Sequence, residues 1–238
     1  MKHLLIAVAA LGFVASTAHA AGGYPPVPKN EWSFQGIRGK WDPVEILRGY
    51  EVATQVCLSC HSFKYFSHRN LIGAGLTEEQ AKTLAAKLDM DLNQKLMSGL
   101  SDEDAKETYG GPVPDLSVMT KARPGGVDYV KALLLGYTDA PEGMDVGNGY
   151  YNKYFPGYII AMPNPMSEGQ VTYTDSDTQA TMEQMAHDVA AFIAFVSEPE
   201  LIDRKRLGVY VLLYLIIFTA LAYALKNAIW RDIKTKAR

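Results

Sequence analysis

Cys57, Cys60 and His61 carry the clearest chemistry in this chain. They stand in Cys57-Leu58-Ser59-Cys60-His61, the spacing at which two thiols add to the vinyl groups of a haem and the adjacent imidazole becomes an iron ligand. Context opposes each competing use of the pair. A thioredoxin-like redox motif follows a strand and opens a helix, whereas here a helical pattern runs up to Cys57. A structural zinc site takes four ligands, and the chain has only two cysteines. A plain disulfide suits an oxidising compartment but leaves His61 without a task. One covalently attached c-type haem is therefore expected.

Spacing alone leaves the ligand on the other face of the iron open. Beyond the first 20 residues the candidates are His68, His187 and eight methionines. A thioether opposite histidine raises the potential and suits electron transfer rather than ligand binding. Met162, in the proline-stiffened Ile160-Ala161-Met162-Pro163-Asn164-Pro165, leads, with Met166 second. Met182 and Met185 lie on an amphipathic pattern and read as core. His68 is too close in sequence to His61 to reach the opposite face, and both it and His187 read as surface histidines.

The elements that must position these residues are mainly helical. Asp42-Pro43-Val44-Glu45 is a helix start, with Asp as cap, Pro in the first turn and Glu45 able to reach back. Ile46, Leu47, Tyr50, Ala53 and Val56 then form an apolar stripe that delivers Cys57 at its end. Thr77-Glu78-Glu79-Gln80 has the capping-box form and predicts a helix to about Leu88. Tyr129, Val130, Leu133 and Leu134 keep helical spacing over 128–135, with Gly136 placed to stop it. Thr181 and Gln184 cap a last soluble helix ending near Glu198-Pro199. The stretch 21–40 reads as an irregular surface arm, and the acidic stretch 89–111 as a solvated excursion with at most weak helix. The long irregular stretch 137–178 needs something to organise it, which a buried haem would do. No strand with hairpin signals stands out.

Two apolar stretches frame this domain. Residues 4–14, preceded by Lys2 and followed by Ala18-His19-Ala20, have the form of a signal peptide cleaved after Ala20, and the run is too short to span a bilayer. Residues 207–225 are uncharged and long enough to cross roughly 30 Å of hydrocarbon. The expected organisation is thus a signal peptide at 1–20, an exported haem domain at 21–203, a transmembrane anchor at 204–226 and a cytoplasmic tail at 227–238. Five basic residues lie over 226–238 and three at Arg204-Lys205-Arg206, so the signal peptide, more than the positive-inside rule, sets the orientation. Residues 22–203 hold 25 acidic against 14 basic side chains, a net of −11. Such a domain repels nucleic acid and steers cationic partners toward itself.

Cys57-Leu58-Ser59-Cys60-His61-Ser62, Pro114-Asp115-Leu116-Ser117, Gly125-Gly126-Val127-Asp128-Tyr129-Val130, Tyr154-Phe155-Pro156-Gly157 and Glu198-Pro199-Glu200 before Arg204-Lys205-Arg206 together resemble the cytochrome c1 family of the quinol:cytochrome c oxidoreductase, over nearly the whole exported chain. The resemblance implies a class I cytochrome c fold on one C-terminal transmembrane helix in the inner membrane, its haem domain periplasmic. It implies an electron-transfer subunit of a respiratory or photosynthetic bc complex, dimeric and containing cytochrome b. That subunit would take electrons from a Rieske iron–sulfur protein and pass them to cytochrome c. It also supports His61 and Met162 as axial ligands, Arg123 against a haem propionate, and Tyr129, Leu133, Phe155 and Ile160 around the ring. The segment 89–111 is shorter and more acidic than the family often has, and the extra cysteine pair of some bacterial relatives is absent. The alternatives are a membrane-anchored carrier outside any complex and a haem enzyme or sensor with an open iron position.

Overall fold

A computed structural model describes residues 23–236; the expected signal peptide lies outside the described residues. Helix dominates, as expected, and strands are short. In chain order the elements are α1 (Pro43–Gln55), a 3₁₀ turn (Cys57–Ser59), β1 (Phe63–Ser67), a 3₁₀ segment (His68–Ala74), α2 (Glu78–Ala86), β2 (Lys95–Leu96), α3 (Asp102–Tyr109), α4 (Met119–Ala122), α5 (Gly126–Leu135), β3 (Tyr150–Tyr151), β4 (Ile159–Ile160), α6 (Met182–Ser197) and α7 (Leu201–Lys236). β1 pairs antiparallel with β2, and β3 with β4.

The helix starts follow local capping chemistry. The Asp42 carboxylate accepts from the Val44 amide at 2.9 Å, and Thr77 and Gln80 form a reciprocal capping box. Thr181 accepts from the Gln184 amide at 3.1 Å. Glu45 departs from its expected role. Instead of reaching back to its helix start, it is buried and accepts from Ser33 at 2.6 Å and His187 at 3.0 Å.

The core centres on α1 crossing α6, with α5 also packed on α6. Gly49 permits the close crossing, because a Cβ there would strike the Asp188 carbonyl and the Phe192 side chain. Phe192 then meets Tyr50, Phe63 and Phe66 at centroid distances of 5.9, 5.7 and 5.2 Å. Burial of each such aromatic contributes about 1.5–3 kcal/mol. Across the same interface Arg48 grips the fully buried Asp188 with two hydrogen bonds of 2.9 and 3.0 Å. The Tyr173 hydroxyl donates to Asp188 at 3.0 Å, so the buried carboxylate is satisfied.

Several surface expectations are corrected. The stretch 21–40 is not a surface arm throughout, since Trp32 and Phe34 are core residues. Asp128, in the first turn of α5, accepts from the Trp32 indole at 2.9 Å and from the Asn30 amide at 3.0 Å. His68 is fully buried, with Nε2 2.8 Å from the Tyr50 hydroxyl. Burial lowers its affinity for a proton, so the ring is neutral at pH 7. His187 is half-buried, stacked on Trp32 at 4.4 Å and bonded to Glu45. The excursion at 89–111 contains a formed helix, α3, capped by Ser101, although most of its side chains are exposed.

α7 is 36 residues long and carries an apolar window of mean hydropathy 2.2 within Leu201–Arg231, none of it buried against the domain. An unpartnered apolar helix of that length fits a membrane anchor. Its base is tied to the domain. Glu198 bonds both Lys121 and Arg204, and the Lys205 ammonium donates to the Phe34 carbonyl at 2.5 Å.

Candidate haem site

α1 ends at Gln55 and the chain tightens at once into the 3₁₀ turn, where the Cys60 and His61 amides both donate to the Cys57 carbonyl, at 3.1 and 2.8 Å. Among the described residues Cys57 and Cys60 are free thiols. Burial, reinforced by the neighbouring Cys60, pushes the Cys57 thiol up to about 12, so it is protonated at neutral pH. Tyr109, the last residue of α3, brings its hydroxyl to 3.9 Å from Cys60 Sγ.

The His61 ring is oriented from a distant segment. Its Nδ1 lies 2.8 Å from the Pro114 carbonyl oxygen. A carbonyl only accepts, so Nδ1 carries the hydrogen and the Nε2 lone pair is left for a metal. Burial lowers the proton affinity of His61, partly offset by the Pro114 carbonyl and Asp115. Neutral imidazole is the form that ligates iron.

The rest of Pro114-Asp115-Leu116-Ser117 holds that carbonyl in place. Asp115 accepts from the amides of Lys64 and Ser117, both at 2.9 Å. The Leu116 amide donates to Ser62 O at 2.9 Å, and the buried Ser117 hydroxyl accepts from the Tyr65 amide at 3.0 Å. The motif is therefore a strap laid along the segment that follows His61. Immediately after it come α4, Arg123 and α5, so the strap connects directly to the second group of candidates.

That second group is built on α5 and the segment 137–162. Asn152, fully buried, is its hub. Its side-chain amide donates to the Leu133 carbonyl at 2.8 Å while its side-chain oxygen accepts from the Tyr154 amide at 3.0 Å. Gly136 caps α5 in a right-handed conformation rather than the left-handed one of a glycine stop. It is required instead because a Cβ there would collide with the Asn152 side-chain oxygen. The Phe155 amide donates to Asn152 O at 3.2 Å, and Ile160 pairs with Tyr150 in the β3–β4 ladder. Tyr137 donates its hydroxyl to the Met162 carbonyl at 3.0 Å, and burial raises its proton affinity so that it remains a donor.

Tyr129 and Ile160 are buried, whereas Leu133, Phe155, Met162 and Arg123 are half-buried. Tyr24 meets Tyr129 edge-on at 5.3 Å. Burial pushes the Tyr129 hydroxyl up to about 12, with nearby Arg123 acting in the opposite direction. The Arg123 guanidinium bonds only the adjacent Ala122 carbonyl, at 3.3 Å, and has no carboxylate partner among the described residues. Met166 belongs to the hydrophobic core, as does Met185. Pro114, Ser117, Asn152 and Tyr137 were not legible as positioning residues, since Pro114, Asn152 and Tyr137 act through or upon backbone carbonyls and Ser117 upon a backbone amide, none of which leaves a side-chain signature.

The protein organises much of 137–178 by itself. Glu51 of α1 accepts from the Thr174 amide at 3.2 Å, and Gln55 exchanges two 3.1 Å bonds with the Thr172 backbone. These bonds tie down its second half, as Asn152 and the β3–β4 ladder tie down its first.

The sequence model described as the Cytochrome C1 family matches residues 32–233. Cytochrome c1 of Rhodospirillum rubrum is 37% identical, the alignment covering 98% of each chain. The chain belongs to the cytochrome c1 family. A mitochondrial cytochrome c1 haem protein of Arabidopsis thaliana is 40% identical over 82% of this chain and 69% of its own. The cytochrome b/c1 protein of Bradyrhizobium diazoefficiens is 37% identical over 96% of this chain and 39% of its own. The family match begins at Trp32, the indole that Asp128 holds in the core.

Proposed function

We propose that Cys57, Cys60, His61 and Met162 hold one haem in this chain, and that the protein is the haem electron-transfer subunit of a membrane bc complex. Membership of the cytochrome c1 family carries the function and implies a c-type haem. The His61–Pro114 bond carries the site, because it leaves one imidazole nitrogen available in the neutral tautomer beside two free thiols. Bound there, the haem supplies a one-electron redox couple.

Cys57 and Cys60 would hold the haem through their sulfurs, and His61 Nε2 and the Met162 thioether would ligate its iron, with Tyr137 fixing the backbone at Met162. Arg123, without a carboxylate partner among the described residues, would pair with a propionate, while Tyr129, Leu133, Phe155 and Ile160 would pack around the ring and exclude water. Residues 1–20 are removed on export, 21–203 form the periplasmic domain, 204–226 cross the inner membrane and 227–238 remain cytoplasmic. Cytochrome b is the membrane neighbour, as the fused cytochrome b/c1 relative suggests. A Rieske iron–sulfur protein is the donor and a cytochrome c the acceptor, in a dimeric complex. The domain charge of −11 favours a basic acceptor.

Gentle detergent extraction of the native membrane tests this reading. A b-type haem subunit and an iron–sulfur protein should travel with the chain on sizing, and the reduced spectrum should not change with carbon monoxide. A chain that sizes alone, or that binds carbon monoxide on mixing, contradicts it.

A further inference from the structure

The base of α7 is joined to a turn that precedes α1. The Gln35 amide donates to Trp32 O and the Lys40 amide to Ser33 O, both at 3.0 Å, closing a turn over 33–40. Its inner residues are fixed, with Phe34 tilted against Trp41 at 4.5 Å and buried. Its tip is the opposite. Ile37 is 80% exposed, more than any other large apolar side chain among the described residues. Arg38 and Lys40, which follow it, are exposed and have no carboxylate partner among the described residues.

Position decides what such a tip faces. The Lys205 ammonium bonds the Phe34 carbonyl at 2.5 Å, and Lys205 lies two residues before the uncharged run that starts at Leu207. Two helical residues advance about 3 Å. Ile37 is three residues from Phe34, at most about 10 Å of chain. The polar layer on each side of a bilayer is roughly 5–7 Å thick. Glu198, bonded to both Lys121 and Arg204, is a second tie between domain and helix base. These ties bring the turn within reach of the interface of a membrane spanned by α7. An exposed apolar side chain followed closely by two cations suits acyl chains below and lipid phosphates beside it.

We infer that the 33–40 turn is a second membrane contact, in which Ile37 enters the lipid interface and Arg38 and Lys40 engage anionic headgroups, so that the domain sits at a fixed tilt on its anchor. The inference rests on the anchor reading of α7 and is independent of the haem assignment.

Nitroxide labels on the full-length haem-loaded protein in bilayer discs test it. Ile37→Cys is compared with Lys82→Cys, on exposed α2, and Phe218→Cys, within the apolar window, with unsubstituted protein giving the background. Oxygen and a water-soluble nickel chelate report lipid and aqueous exposure. At position 37 the oxygen-to-chelate ratio should exceed that at 82 several-fold and fall short of that at 218. It should rise when phosphatidylglycerol is added to phosphatidylcholine, and Arg38→Gln with Lys40→Gln should abolish that rise. An aqueous label at 37 beside a lipid-exposed label at 218 overturns the contact and leaves the anchor standing. Aqueous labels at both positions overturn contact and anchor together. Protection of 37 from both reagents, found only when other subunits are present, assigns the turn to a protein neighbour and also overturns the inference.

Discussion

His61 Nδ1 and the carbonyl oxygen of Pro114 are 2.8 Å apart although 53 positions separate them in sequence. The bond sets the imidazole tautomer, and the strap around Pro114 sets the bond. Asp115→Ala removes the acceptor of two backbone amides and should lower stability by about 1–3 kcal/mol. Ser117→Ala strands the Tyr65 amide and should cost about 1–2 kcal/mol. Urea unfolding of the haem-loaded protein measures both. Asp115→Ala should also let carbon monoxide compete at the iron more readily than Ser117→Ala, because only Asp115 acts on the His61 environment directly.

Met162 and Met166 separate by burial. Met162 is half-buried at the end of the Asn152-held segment, whereas Met166 is packed in the core. Met162→Leu should lower the midpoint potential and allow carbon monoxide to bind within mixing time, with little change in unfolding. Met166→Ala should cost about 2–5 kcal/mol and leave the reduced spectrum unchanged. The reverse pattern would assign the axial thioether to Met166.

Asn152 links α5 to the Met162 segment through a donor and an acceptor. Asn152→Ala should destabilise by about 1–2 kcal/mol, since the Tyr154 amide loses its acceptor while the Leu133 carbonyl keeps the Gly136 amide. Loss of positioning at Met162 should appear as partial carbon monoxide reactivity at temperatures where the protein remains folded. Asn152→Asp restores an acceptor for Tyr154 and loses the donor to Leu133, so it should recover only part of either effect.

Asp128 links the 23–41 segment to pH. Its burial raises the carboxyl, but hydrogen bonds from Asn30 and Trp32, with Lys29 beside them, outweigh burial and hold it below the ordinary value of 3.8. A carboxyl depressed in the folded state stabilises the protein fully above its unfolded value, and that contribution is lost as pH falls through the folded value. Wild-type stability should therefore drop in the region below about pH 4. Asp128→Asn should start about 1–3 kcal/mol lower at pH 7 and show a shallower acid slope. Urea midpoints at pH 7 and pH 3 compare them.

Helix starts were legible in the sequence because capping acts within one turn. Asp42, Thr77 and Thr181 each bond an amide two or three residues on. The Cys-x-x-Cys-His motif was legible for the same reason, as its three reactive groups lie close together in a single tight turn. The fate of His68 was not. A lone histidine gives no local sign of burial, and only the tertiary structure brings Tyr50 and Phe66 against it. Trp32 and Phe34 were similarly hidden, because a surface arm and a segment stapled by a carboxylate 96 residues away have the same irregular pattern.

By itself the sequence determined the Cys-x-x-Cys-His motif, the capped helix that leads into it, an uncharged run long enough for a membrane and the family to which the chain belongs. Those are properties of neighbouring residues or of ordered motifs. The tertiary structure alone decided which carbonyl orients His61, which hydroxyl fixes Met162, where Asn152 joins α5 to its partner segment and how Lys205 ties the anchor to the 33–40 turn. Each is a bond between residues far apart in the chain, and its geometry exists only after α1, α5 and α6 have packed.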